Sequence, residues 1–160
     1  MAEVLTVPPS KFTPHVSFDN VVSDLEPTDR NPISYTLKEE HIGYHYKRQS
    51  RTFMCGINED AYSDYALQWM LDEMVDDGDE VICLRVVEKD SKMSNDKGVR
   101  EKYYQKEAKR IMKEVQRRNE DGNGAKAISI TVEFAIGKVH STFTKMVRFF
   151  PLLSHVYLMP

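Results

Sequence analysis

The segment "TFMCGINEDAYSDYALQWMLDEMVDDGDEVICLRVV", Thr52 to Val87, decides how the chain folds. It opens with a short apolar run, "TFMCGI", that breaks into the polar "NED", which is the pattern of a strand followed by a turn. From Tyr62 onward Leu67, Met70, Leu71 and Met74 recur at the i, i+3, i+4, i+7 spacing of an amphipathic helix. "DDGD" ends that helix at Gly78, and "VICLRVVE" follows as a second apolar run, the signature of a strand covered on both faces. Two strands joined through a helix predict a parallel pair with a right-handed crossover.

The same alternation continues downstream. After the polar "KDSKMSNDKG" a long helix is expected from Val99 to Asn119, with Tyr104, Ala108, Ile111, Met112 and Val115 on one stripe and a solvated charged face opposite. "DGNG" turns the chain into "AISITVEFAI", in which Ile128, Ile130, Val132, Phe134 and Ile136 alternate with Ser129, Thr131 and Glu133. Alternation indicates one less covered face, so this third strand reads as an edge. Gly137 then opens a last helix carrying Val139, Phe143, Met146, Val147 and Phe150, which Pro151 ends. The order β-α-β-α-β-α from Arg51 to Phe150 defines an α/β fold, an open parallel sheet with flanking helices.

Composition narrows the function classes. A chain of 160 residues with 41% hydrophobic residues supports one domain. A formal net charge of −3, with acids and bases mixed, lacks the basic footprint of a nucleic-acid binder. Residues 1–50 carry "VPPS", "FTP" and "LEPTDRNP" and apolar residues that come singly, so they read as a disordered N-terminal arm. The start has no basic region leading into a long apolar run, so a cytoplasmic location is expected. The uncharged ending "FFPLLSHVYLMP" is too short for a membrane span and is interrupted by Pro151, so no membrane partner is expected. Cys55 and Cys83 sit inside apolar runs as small buried hydrophobes. His41 and His45 stand four apart, but Gly43 between them and the missing third ligand argue against a metal site.

In open α/β sheets ligands bind at the carboxyl ends of the strands. The turn "GINEDAYS" is therefore the candidate region: Gly56 and Ile57 offer backbone groups and Asn58 a side chain, while Asp60 or Ser63 can equally serve as a helix cap. No Gly-rich loop runs from a strand into a helix; "GNG" at Gly122 to Gly124 precedes a strand instead. No nucleophile–base–orienter set can be assembled, and an enzyme is not expected.

These residues carry a family likeness. Phe53 to Ser91, "FMCGINEDAYSDYALQWMLDEMVDDGDEVICLRVVEKDS", resembles the first strand, helix and second strand of the universal stress protein family, especially its fungal branch. "VEFAIGKV", Val132 to Val139, resembles its third strand and following glycine, and the likeness spans Arg51 to Arg148. The resemblance implies five parallel strands in the order 3-2-1-4-5, with adenine and ribose on the ends of the first and second strands. Asn58 then stands where nucleotide-binding members have Asp, the second-strand contact falls on Val86 just after Arg85, and Gly137 follows the third strand.

The family's phosphate loop, which comes after the fourth strand, is not found. "LLSHVYLM" takes the place of the fourth strand, and residues 51–160 read as a C-terminally incomplete domain of order 3-2-1-4 with the fifth strand missing. The expected function is a universal-stress-protein-like domain in stress response with an impaired or absent ATP site and no other cofactor. The alternatives are an adenine-nucleotide-binding switch completed by a partner chain, or an interaction module. The sheet edges and apolar helix faces left open by such a domain point to a homo-oligomer or a related family chain as partner.

Overall fold

A computed structural model of the chain describes residues 11–14, 33–88 and 96–149. Eight elements follow one another: β1 (Phe12–Pro14), β2 (Ile33–His41), β3 (Thr52–Gly56), α1 (Ala61–Glu73), β4 (Glu80–Val87), α2 (Lys97–Asp121), β5 (Ser129–Ile136) and α3 (Val139–Phe149). They build one five-stranded sheet in the order β1-β2-β5-β4-β3. Strands β3, β4 and β5 are parallel, with Cys55 level with Cys83 and Cys83 level with Val132. This half of the sheet is the expected 3-2-1 arrangement. The segment expected to form the next strand, "LLSHVYLM", lies outside the described residues, as does Pro151.

The parallel ladder is buried from both sides. On one face Phe53, Cys55, Val81, Cys83, Ile130, Val132 and Phe134 meet the inward stripes of α1 and α2. On the other, Met54, Ile82, Leu84 and Ala135 meet Met146 of α3. Strand β4 contributes four consecutive buried residues, Val81 to Leu84, which is why its apolar run does not alternate. Helix α2 begins at the Asp96 cap, whose side chain accepts from the Gly98 amide, and ends two residues later than periodicity alone suggests.

The third parallel strand is not an edge. β5 lies in the middle of the sheet, parallel to β4 and antiparallel to β2. Its alternating Ser129, Thr131 and Glu133 signalled polar neighbours rather than water. On β2, Glu40, Lys38 and Thr36 stand opposite them in register, and Ser129 and Glu133 are buried. Lys38 bridges Glu40 at 3.2 Å and Glu80 of β4 at 3.8 Å. Tyr44 and Thr52 both donate to the Glu80 carboxylate, and burial together with that charge raises the Tyr44 phenol above its usual range.

The reading of residues 1–50 as a disordered arm is corrected for residues 11–14 and 33–50. Ile33–His41 is a nine-residue strand, and Phe12–Pro14 pairs antiparallel with it. Tyr35 and Leu37, which looked like isolated apolar residues, are inward members of a strand and pack on the main core. Phe12 is buried and stacks edge-on against His41. Residues 1–10 and 15–32 lie outside the described residues. His41 ends β2 and its Nδ1 accepts from the Gly43 amide, so His41 and His45 do not share a helix face.

One ion pair ties the amino end of β3 to the loop before β4. Asp79, buried to 3% exposure, accepts from the Arg51 amide at 2.8 Å, from its guanidinium at 2.7 Å and from the Asp76 amide at 2.9 Å. Arg51 also donates to the Met74 carbonyl at the end of α1 and lies over the Phe53 ring. Asp79→Ala leaves two amides and a guanidinium short of their acceptor and is expected to cost about 3 kcal/mol in urea unfolding. A chain beginning at Arg51 exposes the β2-facing edge of β5; compared with the full chain it should melt at lower temperature and scatter more light.

Candidate functional site

Strand β3 ends at Gly56, and the next residue, Ile57, still donates its amide to the Leu84 carbonyl of β4 at 2.9 Å. The chain then leaves the sheet as a hydrogen-bonded turn. The Asn58 amide donates to Ser63 Oγ at 3.2 Å, and that hydroxyl returns a bond to the Asn58 carbonyl at 2.9 Å. Asp60 is the cap of α1, accepting from the Ser63 amide at 2.8 Å. That amide, followed by the Ser63 and Asn58 side chains, holds the Asp60 carboxyl below its ordinary range. Of the two candidate caps the cap is thus Asp60, with Ser63 as its donor.

The Asn58 side chain is engaged at both ends. Its Nδ2 donates to Asp60 Oδ2 at 2.9 Å, and its Oδ1 accepts from Arg85 Nη1 at 3.2 Å. Arg85 comes from the end of β4, and its other terminal nitrogen lies 3.7 Å from Glu59. The turn after the first parallel strand is therefore laced to the second one through a guanidinium.

Four of the five sequence-derived candidates come together. Gly56, Ile57, Asn58 and Val86 line one cleft of about 690 Å³ between α1 and α3, at the outer edge of β3. Gly137 does not line it; its amide donates to the Val87 carbonyl, and it starts the turn into α3, where any Cβ would approach Thr142 Oγ1 to 2.7 Å. The cleft also holds residues that sequence reasoning placed elsewhere. Phe143, assigned by its spacing to a helix core stripe, crosses the end of β3 so closely that a Cβ at Gly56 would stand 2.7 Å from its ring. Tyr62 and His140 line the same space from α1 and α3. Helical spacing can show that Phe143 faces inward, but only the crossover of α3 to the opposite face of the sheet carries it over Gly56. A second cleft, of about 240 Å³, shares Ile57 and Asn58 and opens between α1 and α2 beside Arg110 and Glu114.

Cys55 borders the larger cleft and faces Cys83 across the β3–β4 pair, both as free thiols. Burial pushes Cys55 up to about 11 and Cys83 upward as well. Among the described residues no group of three or more His, Cys, Asp or Glu side chains could hold a metal. Among them, too, no helix is long and apolar enough to cross a membrane.

A profile of the universal stress protein family matches residues 49–147, the span of the parallel strands and their helices. The chain is also 36% identical over 136 residues, 84% of its length, to Universal stress protein A family protein C25B2.10 of Schizosaccharomyces pombe (strain 972 / ATCC 24843). No solved structure gives a significant match. The chain belongs to the universal stress protein family. It spans 42% of the length of that curated relative.

Raising a thiol from about 9 to about 11 lowers its thiolate fraction at neutral pH by about a hundredfold. Cys55 in the folded chain is expected to react with a disulfide reagent at pH 7.5 about a hundredfold more slowly than cysteine in urea-unfolded chain, and to accelerate as pH approaches 11.

Proposed function

We propose that this universal stress protein domain is a non-enzymatic component of the stress response, working in the cytoplasm, with an impaired ATP site. The observation that carries the proposal is the closure of Asn58 on its own protein. Its amide nitrogen is spent on Asp60 and its carbonyl oxygen on Arg85. A carboxylate in its place could accept from ribose and base donors at once, whereas Asn brings one acceptor, and here that acceptor has a guanidinium on it. A nucleotide would have to displace Arg85 or leave Asn58 unused. Neither route recovers a strong contact.

A second reading, an adenine-nucleotide switch completed by a partner chain, draws support from the cleft itself. About 690 Å³ lies within the range of small-molecule sites, and four candidate residues share it. The partner would be a second copy or a related family chain, and the outer edge of β3, unpaired among the described residues, is where such a chain could add.

Calorimetric titration of the full chain with ATP separates the two readings. Affinity of about millimolar or weaker, with no phosphate released on incubation, is the expected result. Micromolar affinity for the chain alone would refute the first reading. Arg85→Ala frees the Asn58 carbonyl, and on the proposed reading it strengthens ATP binding by no more than about tenfold, because one neutral hydrogen bond is all that is recovered.

A further inference from the structure

The outer surface of α1 has a composition that core packing does not explain. Between Arg51 and Arg85 the chain carries nine acidic residues and no Lys, Arg or His. The helix in the middle of this stretch exposes three large aromatic side chains: Tyr62 is 83% exposed, Tyr65 70% and Trp69 37%. Their spacing of three and four residues sets them on one stripe, about 10 Å long from Tyr62 to Trp69. Glu73 prolongs the stripe by one turn and is exposed, and the last turn of the helix has no basic residue.

The stripe lies on a definite side of the fold. Asp64 meets Arg118 of α2, and Asp72 accepts from the Asn123 amide just beyond α2, so these acids occupy the flank that α1 turns toward α2. Ala66, Leu67, Met70 and Leu71 occupy the face toward the sheet. The aromatic stripe therefore looks away from α2, and Tyr62 leads from it into the cleft at the outer edge of β3. Acids stand at both ends: Glu59, 70% exposed beside Tyr62, lies 3.7 Å from Arg85, and Asp76, 80% exposed beyond Glu73, is bridged by Arg51 at 2.9 Å.

We propose that this stripe is a docking surface for a lysine- and arginine-bearing segment of another protein. The surface offers what such a segment needs. Ring faces attract a guanidinium or ammonium through their quadrupole, and an aromatic row supplies apolar area for the long methylene stems. The helix itself carries no cation, and the exposed Glu73, with the excess of nine acids between Arg51 and Arg85, adds long-range attraction for a basic segment. Tyr and Trp are also the side chains that dominate binding energy at protein interfaces, and few soluble surfaces leave three of them contiguous and exposed. A nucleic acid or an acidic peptide finds no cation on the helix to pair with.

Trp69 is the single tryptophan of the chain, so its fluorescence reads the proposed surface directly. The full chain is titrated with a synthetic peptide of about 15 residues bearing Arg and Lys at helical spacing, and with an acidic peptide of equal length. The expected result is a saturable change in Trp69 emission with the basic peptide alone, weakened about tenfold or more when salt rises from about 50 to about 500 mM. The double substitution Tyr62→Ala, Tyr65→Ala should weaken binding about tenfold with an unchanged melting temperature, since both rings are exposed; Glu73→Lys should weaken it as well. No saturable change, equal response to the acidic peptide, or wild-type affinity in the double variant would overturn the proposal. So would emission that shifts with protein concentration alone, together with a sedimenting dimer that the double variant abolishes, because the stripe would then belong to a second copy of the chain.

Discussion

Strand β4 has to satisfy hydrogen-bonding groups on both of its edges and bury side chains on both of its faces, and the rest of the domain is arranged to let it. Val81 to Leu84 are all buried, so a sheet neighbour is needed on each side and a helical layer above and below. Because both neighbours run parallel to it, each connection must cross over the sheet, and α1 and α2 do so on the same face. All the strand-to-helix turns then fall at one end of the sheet. That is the physical reason why Gly56, Ile57, Asn58 and Val86, 30 residues apart in the extreme, come to border a single cleft.

The amino-terminal extension changes the character of the other half of the sheet. Were β5 an edge, its Ser129, Thr131 and Glu133 would face water and the ladder would stop there. With β2 beside it, the same residues are enclosed by a polar strip in which Lys38 compensates Glu40 and Glu80. Partly burying charged groups is tolerable when they are paired, and the register of β2 brings Lys38 between Glu40 and Glu80. β2 thus removes one exposed edge and fixes which side chains may lie under it.

At the carboxyl ends the guanidinium of Arg85 plays a comparable role on a smaller scale. It links the turn after β3 to the end of β4 and occupies the carbonyl of Asn58. An aspartate at that position would offer two acceptor oxygens and no donor; the asparagine here donates to Asp60 and accepts from Arg85, as part of a closed network with Asp60 and Ser63. The acidic, aromatic surface of α1 begins beside that network, so the two features flank one turn while using different side chains.

The parallel core was legible in the sequence because its signals are local: unbroken apolar runs, helical spacing of Leu67, Met70 and Leu71, and turns at Gly78 and "DGNG". The candidate turn was legible for the same reason, since the end of the first parallel strand is a place in the chain as much as a place in space. Strand β2 was not, because its inward residues, Tyr35 and Leu37, are separated by polar ones whose partners are far along the chain on β5 and β4. Phe143 over Gly56 and Arg85 on Asn58 were equally invisible, being contacts between elements that are distant in sequence. By itself the sequence determined the element types and the parallel class, which depend on spacing and burial along a few residues. Which strand is an edge, which carboxylates are compensated and which side chains Asn58 bonds to were decided only by the tertiary structure, because each depends on long-range register that no local pattern encodes.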